Sequence, residues 1–251
     1  MLKDFTIDHF DIIIQAGQSN SEGYGYGTVD KPFEQDEHIW YLNSDFTISQ
    51  AAEVVWGNNA ICNFSLPFSA RYIDAGLLKK PRQLLIIRAA VRGTGFSDNR
   101  WNIGDDLFLQ MIKMTKTALS LNKENRLIAF LWHQGETDVL NNVSYDKYYE
   151  CLSKLINTVR STFDRENLPF IAGDFVQQWK NVNLSICEPI RSAAIDLCEN
   201  IGNAAFVNSD GLTSNAQDNE IDTENDTIHF SRRALMELGG RYFDEYLGII
   251  G

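Results

Sequence analysis

An apolar run that ends in small polar residues constrains this chain more than any other stretch. Residues 12–16 read IIIQA and lead directly into Gly17-Gln18-Ser19-Asn20. Such a run predicts a buried strand, and ligands bind beyond the carboxyl ends of strands in open α/β sheets. Ser19 therefore has the position of a nucleophile. A plain turn is the open alternative, because Gly, Ser and Asn are common turn residues for backbone reasons alone.

Composition excludes several classes of partner. Of the 251 residues, 44% are hydrophobic and 12% aromatic, which is enough for a sizeable core. The formal net charge of -12 argues against nucleic acid or an anionic membrane as the main partner, because the mean electrostatic field would repel both. We therefore expect an uncharged small-molecule or oligosaccharide ligand.

Cysteine usage and hydropathy give only default expectations. The four cysteines are widely spaced without a CxxC pair, so we expect buried thiols and neither a zinc site nor a dense disulfide framework. No apolar run approaches the roughly 20 residues of a membrane-spanning helix, and no signal-peptide pattern precedes the first strand. The default location is cytoplasmic, and a secretory signal that was removed stays an open alternative.

Five predicted strands alternate with helices along the chain. Because each crossover returns the chain to the same strand direction, this order predicts one α/β domain over residues 1–251, with a parallel sheet covered by helices on both faces. Residues 28–65 are predicted to form an extended insertion over one end of the sheet. The strands are expected at residues 10–16, 83–91, 126–132, 168–175 and 204–207, and the helices at residues 66–78, 105–121, 145–163, 189–202 and after a capping Ser231.

Only four histidines are available as a general base. His229 differs from the others because Asp226 lies three residues before it, just ahead of the last helix. A loop with that spacing can fold the carboxylate onto one imidazole nitrogen while the other nitrogen faces a serine hydroxyl. A solvated loop within the acidic segment 218–226 is the alternative.

Two further groups of residues follow strand ends and can supply hydrogen-bond donors to an oxyanion. A glycine in the segment 92–95 (RGTG) can bring its backbone N–H close to a substrate oxygen, which makes Gly93 a candidate. Gln134, in the segment 132–138 (WHQGETD), can donate from an uncharged amide. A turn is the alternative for the glycine segment.

The same WHQGETD segment offers His133, Glu136 and Asp138 as metal ligands. We rank a metal site lower, because no HExxH pattern or second Cys/His cluster accompanies it. Hydrogen bonds to loop backbone are the preferred interpretation of the two carboxylates. We expect a reaction that needs no metal and no organic cofactor.

Taken in chain order, these blocks resemble the SGNH (GDSL-type) hydrolase superfamily. The resemblance rests on residues 17–20 (GQSN), Gly93-Thr94, residues 133–138 (HQGETD) and Asp226-x-x-His229, which together span nearly the whole chain. Within the superfamily it is to the sialate O-acetylesterase-like and acetylxylan-esterase-like branch, carbohydrate esterase family six. It implies a three-layer α/β/α sandwich whose five-stranded parallel sheet has flavodoxin-like order.

The resemblance also implies an activity and a set of roles. The expected enzyme is a serine esterase that removes O-acetyl groups from acetylated xylan, oligosaccharides or sialic acids through an acetyl-enzyme. Ser19 would be the nucleophile, His229 the base and Asp226 the acid that orients it. The oxyanion hole would consist of the N–H groups of Ser19 and Gly93 and the side chain of Gln134.

One departure from the family pattern concerns the glycine segment. Family members commonly read Gly-Gly-Thr-Ser where this chain reads Arg92-Gly93-Thr94-Gly95, which leaves Gly95 as an alternative donor and the role of Arg92 open. Either Arg92 or Arg100 can bind a sugar carboxylate. Candidate substrate contacts are Gln18, Asn20, Arg92, Trp101, His133 and Glu136, together with the rings of Tyr24 and Tyr26. For Trp101, packing in the core is an equal alternative.

Two other functions stay open at this point. The first is a related esterase that acts on longer acyl chains, such as a lipase or a thioesterase. The second is a non-catalytic carbohydrate-binding protein of the same fold.

Overall fold

A computed structural model describes residues 4–28, 33, 36–218 and 223–251. In these residues a short 3-10 helix, Phe5–Ile7, precedes ten strands and nine α-helices. The strands are β1 (His9–Gly17), β2 (Gly25–Thr28), β3 (Ile39–Leu42), β4 (Ile48–Gln50), β5 (Val54–Trp56), β6 (Asn59–Cys62), β7 (Arg82–Arg88), β8 (Arg126–His133), β9 (Phe170–Gly173) and β10 (Ala204–Val207). The helices are α1 (Ser19–Glu22), α2 (Ser65–Asp74), α3 (Asp106–Ser120), α4 (Glu136–Leu140), α5 (Tyr145–Thr162), α6 (Gln177–Val182), α7 (Leu184–Asn200), α8 (Asn215–Asp218) and α9 (Arg232–Ile250).

The central sheet has seven strands in the order β10-β9-β8-β1-β7-β3-β4. All neighbours pair in parallel except β4, which runs antiparallel to β3 at one edge. Because crossovers between parallel strands are right-handed, this strand order puts α2 and α9 on one face and α3, α5 and α7 on the other. In agreement with this, α2 packs against α9 and α5 against α7. The predicted α/β/α sandwich and its flavodoxin-like order are confirmed.

The predicted strand number of five is wrong. All five predicted strands are present, as β1, β7, β8, β9 and β10, but β3 and β4 extend the sheet beyond β7. Both come from the segment 28–65, for which the sequence predicts an insertion. The strand β3 is as short as β9 and β10, but no predicted helix separates it from β4, so the alternation of strands and helices that identifies β9 and β10 is missing here. From the same segment, β5 and β6 form a separate antiparallel sheet with β2, which precedes it, in the order β2-β6-β5. Residues 29–32 and 34–35 lie outside the described residues.

The strand β1 occupies the middle of the core. It pairs with β7 on one side and β8 on the other, and both its faces are covered by helices. Residues such as Phe10 and Ile12 are completely buried for this reason, and the strand is apolar almost throughout. Its carboxyl end therefore delivers residues 17–20 to the middle of the sheet edge where ligands bind.

Helix boundaries differ from the predictions by a few residues. The helix α2 ends at Asp74, where the prediction continues to residue 78, and α7 begins at Leu184, five residues before the predicted start at Pro189. Pro189 therefore lies inside α7, where its ring nitrogen has no hydrogen to donate to the carbonyl of Ser185 one turn earlier. All four cysteines are buried and unbridged. Among the described helices, none has both the length and the apolar character needed to cross a membrane.

Candidate active site

The turn between β1 and α1 requires a glycine at its first position. Gly17 has φ of +126°, and a Cβ on it would lie 2.1 Å from the backbone oxygen of His133 at the end of β8. Only a residue without a side chain permits the two strand ends to come so close. The chain then passes through Gln18 to Ser19, which is the first residue of α1.

Ser19, His229 and Asp226 lie in one chain of hydrogen bonds. The Oγ atom of Ser19 is 2.9 Å from Nε2 of His229. The other imidazole nitrogen, Nδ1, is 2.8 Å and 3.0 Å from the two carboxylate oxygens of Asp226. A carboxylate at Nδ1 keeps the proton on that nitrogen, so that Nε2 can accept the serine proton. The loop before α9 thus brings His229 to a serine that lies 210 positions earlier in the chain.

The carboxyl group of Asp226 is held in its ionised form. Partial burial by itself raises the pKa of Asp226, but hydrogen bonds from His229 and Asn215 outweigh this effect and lower the pKa below its ordinary value. Asp226 is therefore negatively charged at neutral pH, as an acid that orients and stabilises an imidazolium must be.

Asn215, the first residue of α8, was missed by the sequence analysis. Its Nδ2 donates to Oδ2 of Asp226 and to the backbone oxygen of Tyr24, both at 2.8 Å, and its Oδ1 accepts from the backbone N–H of Tyr26. Its own backbone N–H donates to the carbonyl of His229. A lone asparagine in a segment without periodicity gives no signal in the sequence.

Gln18 and Asn20 point into the protein. Oε1 of Gln18 accepts from the backbone N–H of Thr137 at 3.2 Å, and the side chain of Asn20 donates to Oε1 of Glu136 at 2.7 Å. Both residues are buried, Asn20 completely. The structure thus uses these two side chains to join the end of β1 to the start of α4.

The two candidate glycines of the segment 92–95 have different surroundings. The N–H of Gly95 donates to Oδ1 of Asp98, and a Cβ on Gly95 would meet the carboxylate of Asp138 at 2.8 Å. Gly93 has φ of +65° and lies two residues after Val91, whose N–H donates to the carbonyl of Gly17. Within the described residues neither the N–H of Gly93 nor that of Ser19 has a hydrogen-bond partner. Gly93 is thus the glycine that keeps a free donor.

The side chain of Gln134 contacts residues of all three segments 17–20, 92–95 and 133–138. Its Nε2 donates to Oδ2 of Asp138 at 2.8 Å and is 3.3 Å and 3.4 Å from the carbonyl of Thr94 and Oε1 of Gln18. One N–H is therefore firmly bonded to Asp138, and the second makes only long contacts, so it is the one that can turn toward an oxyanion. Asp138 also accepts the backbone N–H groups of Phe96 and Ser97, in agreement with the preferred interpretation of this carboxylate.

The three potential metal ligands point to different partners. His133 is buried against aromatic rings, its Nδ1 is 3.0 Å from the hydroxyl of Tyr242, and burial lowers its pKa to about 3, so the ring is neutral. Glu136 binds Asn20, and Asp138 binds backbone. In the part of the chain that the structure describes, no three His, Cys, Asp or Glu side chains form a metal-binding group.

Among the predicted sugar contacts, Arg92 and Tyr24 lie at the mouth of the site. The exposed guanidinium of Arg92 donates to the hydroxyl of Tyr24 at 2.9 Å, and this bond raises the pKa of Arg92. The ring of Tyr24 stacks on that of His229 with centroids 5.1 Å apart. Arg100 differs, because its Nε and Nη2 atoms both donate to the carboxylate of Asp106.

A line of aromatic rings continues outward from Tyr24. The ring of Tyr26 is 6.3 Å from that of Tyr24, and Trp56 follows at 6.4 Å from Tyr26. Trp56 is 42% exposed and was missed by the sequence analysis. Trp101, a predicted substrate contact, is completely buried and donates to Oγ1 of Thr94. The structure therefore places Trp101 in the core and Trp56 at the surface.

Comparisons with known proteins agree with this geometry. Residues 9–248 match the family described as carbohydrate esterase, sialic acid-specific acetylesterase. A probable carbohydrate esterase from Arabidopsis thaliana is 25% identical over 255 residues, which cover 94% of this chain and 90% of that protein.

Solved structures show the same fold. NanS superposes with a TM-score of 0.82 at 16% identity, over 96% of this chain and 97% of NanS. An Arabidopsis thaliana protein superposes with a TM-score of 0.75 at 21% identity, over 95% and 98% of the two chains. A carbohydrate acetylesterase from Xanthomonas citri has a TM-score of 0.60 at 14% identity, over 95% of this chain and 56% of that one.

Proposed function

Because the chain belongs to the carbohydrate esterase family of sialic acid-specific acetylesterases, we propose that Ser19, His229 and Asp226 are the catalytic triad of its carbohydrate O-deacetylation. Family membership makes it a carboxylic ester hydrolase. The observation that supports the triad is the continuous set of hydrogen bonds from Asp226 through His229 to Ser19, at the carboxyl end of the central strand.

The first half of the reaction transfers the acetyl group to the enzyme. His229 Nε2 takes the proton from Ser19 Oγ, which attacks the acetyl carbonyl carbon, while the charge of Asp226 stabilises the imidazolium. The oxyanion accepts hydrogen bonds from the N–H groups of Ser19 and Gly93 and from the second N–H of Gln134. When the bond from carbon to the sugar oxygen breaks, His229 returns its proton to that oxygen and the sugar leaves.

The second half of the reaction regenerates the enzyme. His229 removes a proton from a water molecule, whose oxygen attacks the acetyl-serine carbonyl, and the same donors stabilise the second oxyanion. Collapse of this intermediate breaks the bond to Oγ, His229 protonates the serine, and acetate is released. Every group needed for acid, base and oxyanion chemistry belongs to the chain itself.

The mouth of the site supports a sugar as the alcohol part of the ester. Ring faces of the kind that Tyr24 and Tyr26 supply pack against the apolar faces of sugar rings. We assign the carboxylate of an acetylated sialic acid to Arg92, whose guanidinium binds, among the described residues, only the hydroxyl of Tyr24. No comparable observation favours a long acyl chain, and the family assignment disfavours a non-catalytic binding protein.

Replacing Ser19 by alanine tests the proposal. We expect hydrolysis of 4-nitrophenyl acetate and of an O-acetylated sialic acid to fall by roughly 10⁴- to 10⁶-fold, because the proposed route through an acetyl-enzyme needs the Ser19 hydroxyl. Ser120→Ala, on the exposed side of α3, is the matched control and should retain full turnover. Comparable activity in the Ser19 and Ser120 variants, both folded by circular dichroism, would overturn the nucleophile assignment.

A further inference from the structure

Glu136 takes no part in the steps above, yet its carboxyl group is buried beside the site. It is 1% exposed, at the start of α4. Oε1 accepts from Nδ2 of Asn20 at 2.7 Å, and within the described residues the buried Oε2 has no hydrogen-bond partner. Keeping a carboxyl group in such surroundings is costly, and burial raises the pKa of Glu136. Its position argues against a substrate contact and calls for another role.

Its partner Asn20 contacts the backbone on both sides of His229. Besides the bond to Glu136, Nδ2 of Asn20 donates to the carbonyl of Ile228 at 3.0 Å, and Oδ1 accepts from the N–H of Phe230 at 3.0 Å. Both hydrogens of the amide nitrogen are thus used. Because Asn20 directly follows Ser19 in the chain, this side chain fixes the base loop relative to the nucleophile.

Glu136 connects this arrangement to the rest of the sheet edge. Glu136 is the first residue of α4, which follows β8. The N–H of the next residue, Thr137, binds Gln18, which lies on the other side of Ser19. The residues before and after the nucleophile are therefore both bonded to one turn, Gln18 to backbone and Asn20 to a carboxyl oxygen. Without an acceptor at position 136, one hydrogen of the buried Asn20 amide would be unpaired.

We propose that Glu136 is a positioning residue that acts through Asn20: its carboxyl oxygen holds the Asn20 amide, which in turn sets the separation between Ser19 Oγ and His229 Nε2. The proposal rests on the triad proposed above. It requires an acceptor at position 136 and a donor at position 20, and it does not require a negative charge on Glu136.

Three variants separate these requirements. Glu136→Gln keeps an acceptor oxygen of the same shape, so kcat should stay within about fivefold of the original enzyme. Asn20→Asp replaces the donor by a carboxylate oxygen that faces Oε1 of Glu136 and the carbonyl of Ile228. We expect it to lower kcat by about 100-fold through a displaced His229, with little change in KM.

The double variant Asn20→Asp/Glu136→Gln gives the decisive comparison. The amide introduced at position 136 can turn its N–H toward the carboxylate introduced at position 20, which restores a donor and an acceptor with reversed polarity. We expect at least about tenfold recovery of kcat over Asn20→Asp alone, a non-additivity that two independent structural defects would not produce. Glu150→Gln on the exposed face of α5 is the control and should leave kcat unchanged.

All variants are compared on 4-nitrophenyl acetate at equal folded fraction, as judged by thermal unfolding, with Ser19→Ala as the inactive reference. Recovery of kcat in the double variant together with an active Glu136→Gln supports the proposal. It is overturned if Glu136→Gln is as impaired as Asn20→Asp, or if the double variant is no better than Asn20→Asp. An active Ser19→Ala would instead contradict the proposed triad, so the two failures are distinguishable.

Discussion

At the residue scale, the proposed role of each side chain follows from its hydrogen bonds and its burial. The spacing of Asp226 and His229 predicted a pair that the structure shows to be hydrogen bonded. The bonds of Asn215 could not be predicted, because they depend on how three separate segments meet in space. Burial likewise depends on packing, which places Trp101 in the core, one of the two positions that the sequence leaves open.

Arg92 is where the chain departs from its family pattern, and its role is testable. If its guanidinium binds the carboxylate of the sugar, Arg92→Gln should raise KM for an O-acetylated sialic acid about three- to tenfold, a moderate effect because the group is exposed. The rate on neutral 4-nitrophenyl acetate should not change. Arg100→Gln is the matched control, since Arg100 is bonded to Asp106. An equal loss on both substrates would contradict the assignment.

At the element scale, the site depends on how closely the ends of β1 and β8 approach each other. Five strands could be predicted because each is an apolar run that alternates with a helical pattern along the chain. The strands β3 and β4 could not, because short strands are defined by their pairing with β7 and with each other. The direction of the parallel strands alone was enough to predict that the segments 17–20, 92–95 and 133–138 lie together at the carboxyl ends of the strands.

The contact between β1 and β8 gives a prediction for Gly17. A methyl group there meets the backbone of His133, and the φ of +126° is itself unfavourable for alanine. We expect Gly17→Ala to lower the free energy of unfolding by about 3 kcal/mol or more and to impair turnover of the fraction that folds. Chemical denaturation and 4-nitrophenyl acetate hydrolysis measure the two effects.

The matched control for this substitution is Gly248→Ala near the end of α9, where a Cβ meets nothing within 4 Å. It should leave stability unchanged or raise it by up to about 1 kcal/mol, as expected for alanine in a helix. Equal stability of the two variants would contradict the close contact between the ends of β1 and β8.

At the scale of the whole molecule, β1 has a cluster of ion pairs near its first residue and the proposed nucleophile just beyond its last residue. Near its start, Asp11 is completely buried and accepts bonds from Arg82, Arg126 and the hydroxyl of Tyr72. Arg82 begins β7 and Arg126 begins β8, so one carboxylate joins the three central strands at the edge opposite Ser19. If Ser19 is the nucleophile, as proposed, stability and catalysis depend on opposite ends of the same strand.

This separation predicts that Asp11 affects stability without affecting turnover. Asp11→Asn leaves two arginines without their buried counter-charge and should lower the free energy of unfolding by about 3 kcal/mol, while kcat at a permissive temperature stays the same. Asp244→Asn breaks an exposed ion pair with Arg71 and should cost less than about 1 kcal/mol. A large loss of kcat in folded Asp11→Asn would contradict the separation.

The central claim is that Ser19 receives the acetyl group during turnover. Rapid mixing with excess 4-nitrophenyl acetate, acid quenching and peptide mass spectrometry test it most directly. We predict that the peptide containing Ser19 gains the mass of one acetyl group, and that neither Ser19→Ala nor untreated enzyme shows this gain. An unmodified Ser19 peptide during steady turnover, with the acetyl group on another residue or with full activity in Ser19→Ala, would contradict the account.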